Sequence, residues 1–135
     1  MRDITDHVVE NDAANHQLKI SVLDEPGAGG ANHVYGLSGM DFTRNKAAME
    51  TPDDRPEGDV SIIFQCGPIP ENGVNGVTQE ALLSIVIDRL RSFQVGQFSC
   101  RENAIALTHC EDALMWLQRR TRARIKRGVE GTHQK

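Results

Sequence analysis

The last third of the chain carries the pattern of one long α-helix, and this helix limits the possible folds more than any other segment. Ser99 followed three residues later by Glu102 is a capping box, which satisfies the N–H groups of a first helical turn. Gly128 is the residue where such a helix can end. Apolar side chains recur along it at spacings of three and four, at Leu107, Cys110, Leu114 and Leu117. They form one apolar stripe, which a helix normally packs against another element.

Polar residues interrupt this stripe. With a rotation of ~100° per residue, Asn103 lies within the stripe and Arg124 lies on its flank. Arg120 and Arg127 border the same flank. A guanidinium held at a packing seam needs an anionic partner, because an unpaired charge there is costly. Arg120 and Arg124, four residues apart, therefore suggest a phosphate clamp, and a surface helix with a basic tail explains them equally well.

Charge is unevenly distributed over the 135 residues, whose formal net charge is −4. Residues 1–67 carry 12 acidic and 5 basic side chains, whereas residues 68–135 carry 7 acidic and 10 basic ones. Proteins that bind nucleic acid without a shaped site are usually basic overall. We therefore expect any anion site in this chain to be local.

Cysteine spacing and hydropathy exclude several other classes. Cys66, Cys100 and Cys110 are an odd number without a CxxC pair, which argues against a disulfide framework or a metal site and favours a reducing cytosol. No apolar segment has the length of a signal peptide or a membrane span. The sequence therefore predicts neither a metal nor a membrane partner.

The first half of the chain predicts a small sheet. Residues 1–17 are polar and are predicted to be a loosely ordered arm with one short strand. Strands are predicted at 18–23, 33–37 and 60–65, with a hairpin connection at 24–32 and an exposed, mobile loop over 38–59. Because no helix pattern separates these strands, we expect them to be antiparallel.

The second half predicts a helical hairpin. Thr78 is a good N-cap for a first helix. Its apolar face comprises Leu82, Leu83, Val86, Ile87 and Leu90. The predicted class is therefore α+β, a small N-terminal antiparallel β-sheet followed by a C-terminal two-helix hairpin with one long helix. We expect a single domain over 1–135, with an arm (1–17), sheet and loops (18–77), a hairpin (78–132) and a tail (133–135).

Distance along the long helix suggests a dimer. Phe93 and Asn103 flank the hairpin turn, whereas Arg120 and Arg124 follow roughly 25 Å or more beyond Asn103 at ~1.5 Å per residue. One small ligand cannot touch both groups within one chain. If all four residues serve one site, an antiparallel second chain must bring its arginines to the first chain's turn, and a two-fold dimer would form two such pockets.

Several motifs resemble the phage Thoeris anti-defence sponge family, the first family described under that name, over most of the chain from about Leu18 onward. They are GGANHVYG (29–36), FQCGPIPENGVNGVTQEALL (64–83), DRLRSFQ (88–94), ENAIALTHCEDALMWLQRRT (102–121) and RGVEGTH (127–133). The long arginine-rich helix is also similar to that of the smaller anti-CBASS sponge, which shares the helical hairpin.

This resemblance implies a protein that is not an enzyme. Such sponges sequester immune second messengers in the cytoplasm of the infected bacterium. Their ligands are glyco-cyclic ADP-ribose isomers of Thoeris and cyclic dinucleotides of CBASS in one pocket, and cyclic trinucleotides in a second pocket. The family assembles as dimers that group into hexamers, as trimers of dimers. No cofactor, membrane or long nucleic acid is implied as a partner.

The resemblance also implies roles for individual residues. An aromatic residue at the position of Phe93 stacks on the base, an Asn matching Asn103 hydrogen-bonds the ligand, and arginines matching Arg120 and Arg124 grip the phosphates. Near the same ligand the resemblance places Gln65, Ile69 and the turn formed by Asn75 and Gly76. In the trinucleotide pocket it places Arg127, Gly128, Glu130 and Thr132.

Other interpretations of these residues stay open at this point. Phe93 could close the hairpin core, Asn103 could link helices within a dimer, and Arg124 could pair with an acidic residue of a neighbouring chain. A nucleic-acid-binding module would use the opposite, exposed face of the helix, with Arg119, Arg122 and Lys126. An enzyme acting on cyclic nucleotides is a third possibility, although no Ser/His/Asp or Cys/His pattern predicts a catalytic residue.

Overall fold

The computed structural model describes residues 1–51 and 58–133, which belong to two compact units, Met1–Phe64 and Gln65–Lys135. The first unit contains an antiparallel sheet with two short helices, and the second contains the two long helices. The α+β class expected from the sequence is therefore confirmed. The single domain over 1–135 and its internal boundaries stay a prediction.

The sheet of the first unit is a four-stranded antiparallel meander in the order β1-β2-β3-β4. Ile20 of β2 lies opposite Leu37 of β3, and Tyr35 of β3 lies opposite Ile62 of β4. The three strands expected from the sequence are confirmed. The strands are β1 (Arg2–Ile4), β2 (Lys19–Val22), β3 (Val34–Ser38) and β4 (Val60–Ile63).

The polar arm predicted over residues 1–17 is wrong in one respect, because this segment is ordered by pairing. Its short strand is confirmed as β1, but β1 is hydrogen-bonded to β2, and a short helix, α1 (Ala13–Gln17), follows it. The backbone of β1 pairs with the open edge of β2 although two of its three side chains are charged and exposed. Asp12 caps α1 by accepting from the backbone N–H of Asn15.

The predicted hairpin connection between β2 and β3 is confirmed, and a carboxylate organises it. The side chain of Asp24 accepts hydrogen bonds from the backbone N–H groups of His33 and Val34 at 2.9 to 3.1 Å. Desolvation raises the pKa of Asp24, but these hydrogen bonds outweigh it, so that the pKa lies below its ordinary value. Among the described residues of this unit, Val22 is the most buried, at 1% exposure.

The exposed loop predicted over 38–59 is wrong for its first part. A 3₁₀ turn covers Phe42–Arg44, and α2 covers Lys46–Glu50. Side-chain oxygens of Asp41 and Asn45 accept from backbone N–H groups at the starts of these two turns, and this capping stabilises helices too short for a periodic signal. Residues 52–57 of that loop, like residues 134–135 of the predicted tail, lie outside the described residues.

The second unit contains the predicted helical hairpin, which is confirmed. Its elements are α3 (Ile69–Asn72), α4 (Gln79–Gln94) and α5 (Arg101–Lys126). Thr78 caps α4 as predicted, by accepting from the N–H of Ala81 at 3.1 Å. On the α4 face Ile87 is only 2% exposed, whereas Val86 is 44% exposed and is not part of the buried face. An ion pair of 2.8 Å from Arg91 to Glu111 joins the two helices.

The start of α5 differs from the capping box predicted at Ser99. The N-cap is Cys100, whose Sγ accepts from the backbone N–H of Asn103 at 3.4 Å. The N–H of Ser99 instead donates to the carbonyl of Gly96 within the turn, so that Ser99 belongs to the turn. Gly128 follows the helix end in a left-handed conformation, with φ of 74°, as expected for a helix stop.

The helices carry much exposed apolar surface. Among the described residues, Ile85, Met115, Trp116 and Ile125 are all between 47% and 61% exposed. No helix in the ranges 1–51 and 58–133 has the length and apolar character needed to cross a membrane.

Candidate ligand-binding site

The hairpin turn places Phe93 and Asn103 at the same end of the second unit. Phe93 lies in the last turn of α4 and is 37% exposed, and Asn103 lies in the first turn of α5 and is half-buried. The side chain of Gln94 accepts from the N–H of Cys100 at 3.2 Å, and Cys100 in turn caps Asn103. These hydrogen bonds fix the backbone on both sides of the turn. The prediction that both residues flank the turn is therefore confirmed.

Arg89 is a further cation at this end, and the sequence reasoning missed it. Its guanidinium carbon lies 5.3 Å from the centroid of the Phe93 ring. The two residues are four apart in α4, which places them on one helix face. The signal that could have revealed this contact is the Arg–Phe spacing itself, because an arginine four residues before an aromatic can stack on its ring.

The other end of α5 has a different character, because its arginine is already paired. Arg124 is 6% exposed. Its Nε donates to a carboxylate oxygen of Glu130 at 2.9 Å, and its Nη2 donates to the carbonyls of Val129 at 2.9 Å and Thr132 at 3.1 Å. The anionic partner that the sequence required for this guanidinium is thus a glutamate of the same chain.

The segment that pairs with Arg124 also contacts the α3 turn. Two left-handed glycines shape it, Gly128 and Gly131, the latter with φ of 78°. The carbonyl of Gly131 accepts from the N–H of Ile69 at 2.8 Å, and a Cβ at Gly131 would lie 3.3 Å from the Ile69 side chain. We call residues 129–132 the C-terminal turn. It connects α5 to α3 by hydrogen bonds at both ends.

Gln65 and Asn75 are held by a local network beside α3. The side-chain oxygen of Gln65 accepts from the N–H of Asn75 at 2.9 Å, and its amide nitrogen donates to the carbonyl of Gly73 at 2.8 Å. The Asn75 side chain accepts from the N–H of Cys66 at 2.9 Å and donates to the carbonyl of the same residue at 2.8 Å. Both amides therefore shape the loop that joins β4 to α4.

Hydrogen bonds join two sets of residues that the resemblance assigns to separate pockets. Ile69 belongs to the first set, and Glu130 and Thr132 belong to the second. In the structure they meet through the C-terminal turn, and Arg124 holds that turn against α5. Arg120 and Arg127 are exposed on the same helix end, and Arg127 is its C-cap.

The structure does not bring the two ends of α5 together within one chain. Arg120 follows 17 positions after Asn103 in one continuous helix, which corresponds to roughly 25 Å. The two groups can therefore share a ligand only across two chains. In the described ranges, no group of three or more His, Cys, Asp or Glu side chains could hold a metal ion.

Comparisons with known proteins show what this hairpin is similar to. Residues 57–122 match the family model described as Acb2/Tad1, hairpin domain. Over residues 57–122 the chain is therefore similar to the Acb2/Tad1 hairpin domain. The resemblance to the Thoeris anti-defence family inferred from the sequence is thereby confirmed.

The chain is also similar to the protein named Thoeris anti-defense 1 from Bacillus phage SBSphiJ7, with 56% identity over 75 residues. The aligned part is 56% of this chain and 53% of that protein, so the match spans about half the length of the relative. The Acb2/Tad1 match includes Phe93, Asn103 and Arg120 and ends before Arg124 and the C-terminal turn.

Proposed function

We propose that this chain is a phage anti-defence protein that binds and sequesters bacterial immune second messengers without cleaving them. The proposed ligands are glyco-cyclic ADP-ribose isomers of Thoeris and the cyclic di- and trinucleotides of CBASS. The observation that carries the proposal is the Acb2/Tad1 hairpin match over residues 57–122, in which Phe93 is partly exposed beside the turn. The name of the relative, Thoeris anti-defense 1, supports the same role.

In the proposed site, each pocket is shared between two copies of the chain. Phe93 stacks on the base and Asn103 hydrogen-bonds the ligand, while Arg120 and Arg124 of the second copy contact the phosphates. Stacking on an aromatic contributes ~1–3 kcal/mol per base, and charge-assisted hydrogen bonds to phosphate are stronger than neutral ones. A cyclic ligand loses little conformational freedom on binding, which favours tight sequestration.

Exposed apolar side chains on both helices support self-association. Ile85 of α4 is 61% exposed and Trp116 of α5 is 59% exposed. Apolar surface of this kind is typical of faces that another chain covers. We therefore propose a two-fold dimer and, in line with the family resemblance, a hexamer built from three dimers, acting in the cytoplasm of the infected bacterium.

The proposed trinucleotide pocket lies around the C-terminal turn. Arg127 is exposed immediately before Gly128 and can supply a charge to a phosphate. Glu130 and Thr132 contact Arg124 in the structure. In this proposal they shape the pocket by fixing the turn. No metal or cofactor has a role in either pocket.

Isothermal titration of the wild-type chain tests the proposal. The panel comprises a glyco-cyclic ADP-ribose isomer, a cyclic dinucleotide and a cyclic trinucleotide, together with duplex DNA. We expect saturable binding of the small cyclic ligands, unaffected by Arg122→Ala on the exposed face. Binding of DNA alone, weakened by this substitution and falling steeply with salt, would instead support the nucleic-acid-binding function.

Recovery of the ligand separates a sponge from an enzyme. We expect mass spectrometry of the complex, denatured after long incubation, to return the intact cyclic ligand. A linear or hydrolysed product that accumulates over time would refute sequestration and establish an enzyme.

A further inference from the structure

We propose that Arg89 is a ligand-site residue that holds the Phe93 ring for stacking and attracts the charge of an anionic nucleotide. The guanidinium lies over the ring, 5.3 Å from its centroid. This inference rests on the proposed function, because it assumes that Phe93 receives a base. It adds a residue to the site and states which face of the ring the base uses.

Geometry restricts the base to one face of Phe93. An aromatic ring has two faces that can stack, and the guanidinium of Arg89 occupies one of them. Phe93 is 37% exposed, so part of the ring is accessible to a ligand. The base therefore stacks on the face opposite Arg89, in the order guanidinium, ring, base. An arginine on the ring also restricts its rotation, which lowers the entropy lost on binding.

Charge at the hairpin turn points to the same role. α4 carries two arginines, and Arg91 is neutralised by Glu111 at 2.8 Å. Within 1–51 and 58–133, no carboxylate lies within ion-pair distance of Arg89. Its charge is therefore available to a ligand that carries phosphate. Arg120 and Arg124 are at the far end of α5, whereas Arg89 lies against the ring on which the base stacks.

Three variants separate the two contributions of Arg89. Arg89→Met keeps an unbranched apolar side chain near the ring but removes the charge, and Arg89→Lys keeps the charge but loses the planar guanidinium. Arg101→Met is the matched control, because Arg101 is an exposed arginine that begins α5 at the same end of the hairpin. Both target positions are exposed, so we expect all three proteins to fold, as checked by thermal unfolding.

Titration with a glyco-cyclic ADP-ribose isomer at several salt concentrations is the test. We expect Arg89→Met to weaken binding about fivefold and to reduce its salt dependence, since it removes both a cation–π contact and a charge. Arg89→Lys should fall between wild type and Arg89→Met, and Arg101→Met should match wild type. If Arg89→Met binds as tightly as Arg101→Met, the assignment of Arg89 is overturned although the proposed function stands. If wild type binds no ligand of the panel, the proposed function itself fails, and the ligand role of Arg89 fails with it.

A ligand-free measurement tests the geometry separately. In the NMR spectrum, the δ-protons of Arg89 should be shielded by the Phe93 ring, and Phe93→Leu should remove this shielding. Unshielded protons in the wild-type chain would overturn the stacked arrangement.

Discussion

The two ends of the helical hairpin carry the residues that the family resemblance assigns to one ligand, yet they are built in opposite ways. At the hairpin turn, Phe93 is partly exposed and Arg89 stacks on its ring. At the far end, Arg124 is buried and donates to Glu130 and to two carbonyls of the C-terminal turn. The comparison teaches that the first end leaves an aromatic ring partly exposed beside a cation, whereas the second end uses its buried cation to hold the chain's own C-terminal turn.

This difference changes how a binding experiment on Arg124 must be interpreted. If the guanidinium contacts a phosphate, it does so while holding Glu130 or after exchanging that carboxylate for the ligand. Loss of binding in an Arg124 variant can therefore arise from a lost contact or from a disordered C-terminal turn. Stability and affinity have to be measured on the same variants.

The largest expected effect is on stability, at the C-terminal end. Arg124→Ala should lower the free energy of unfolding by about 3 kcal/mol, because it removes the buried charged donor to Glu130 and to two carbonyls of the C-terminal turn. Urea denaturation followed by circular dichroism measures this change. The matched control is Arg120→Ala, an exposed arginine of the same helix turn, which should stay within about 0.5 kcal/mol of wild type. Equal stability of both variants would contradict the buried role of Arg124.

The next effect is on affinity, at the hairpin turn. Phe93→Ala should weaken binding of a glyco-cyclic ADP-ribose isomer tenfold or more, since a stacked base contributes ~1–3 kcal/mol. We expect it to change stability less than Arg124→Ala does, because the ring is 37% exposed. Phe98→Ala is the control. Phe98 lies in the turn between α4 and α5, is 68% exposed and is not assigned to the site. Equal losses of affinity for both variants would remove Phe93 from the site.

A smaller effect is expected in the C-terminal turn itself. Gly131→Ala should cost about 1–2 kcal/mol, because φ of 78° is unfavourable for alanine. A Cβ there would also press on Ile69 at 3.3 Å. Gly128→Ala has nearly the same φ but no neighbour within 4 Å of the added atom, so it measures the backbone cost alone. Denaturation should rank Gly131→Ala below Gly128→Ala in stability, and the reverse order would show that the Ile69 contact is unimportant.

How much the sequence could predict depends on whether the signal is local. The stripe on α5 and the Thr78 cap were predicted correctly, because periodicity and capping act over a few residues. Strand β1 was predicted only as a short strand in a loose arm, since its pairing is supplied by β2 rather than by its own side chains. The sequence showed that Arg124 needed an anion, but the choice of Glu130 depends on the left-handed turn at Gly128.

The smallest expected effect concerns the start of α5, where the structure has Cys100 as the N-cap and the sequence pattern predicted Ser99. The Cys100 thiol is a weak hydrogen-bond acceptor. Cys100→Ser should therefore increase stability by about 0.5 kcal/mol, because serine is a favoured N-cap. If Ser99 were the cap, as the sequence pattern suggested, Ser99→Ala would cost about 1 kcal/mol and Cys100→Ser would change little. Since Asn103 donates its N–H to this cap beside Phe93, a stabilised first turn should leave ligand affinity unchanged or slightly improved.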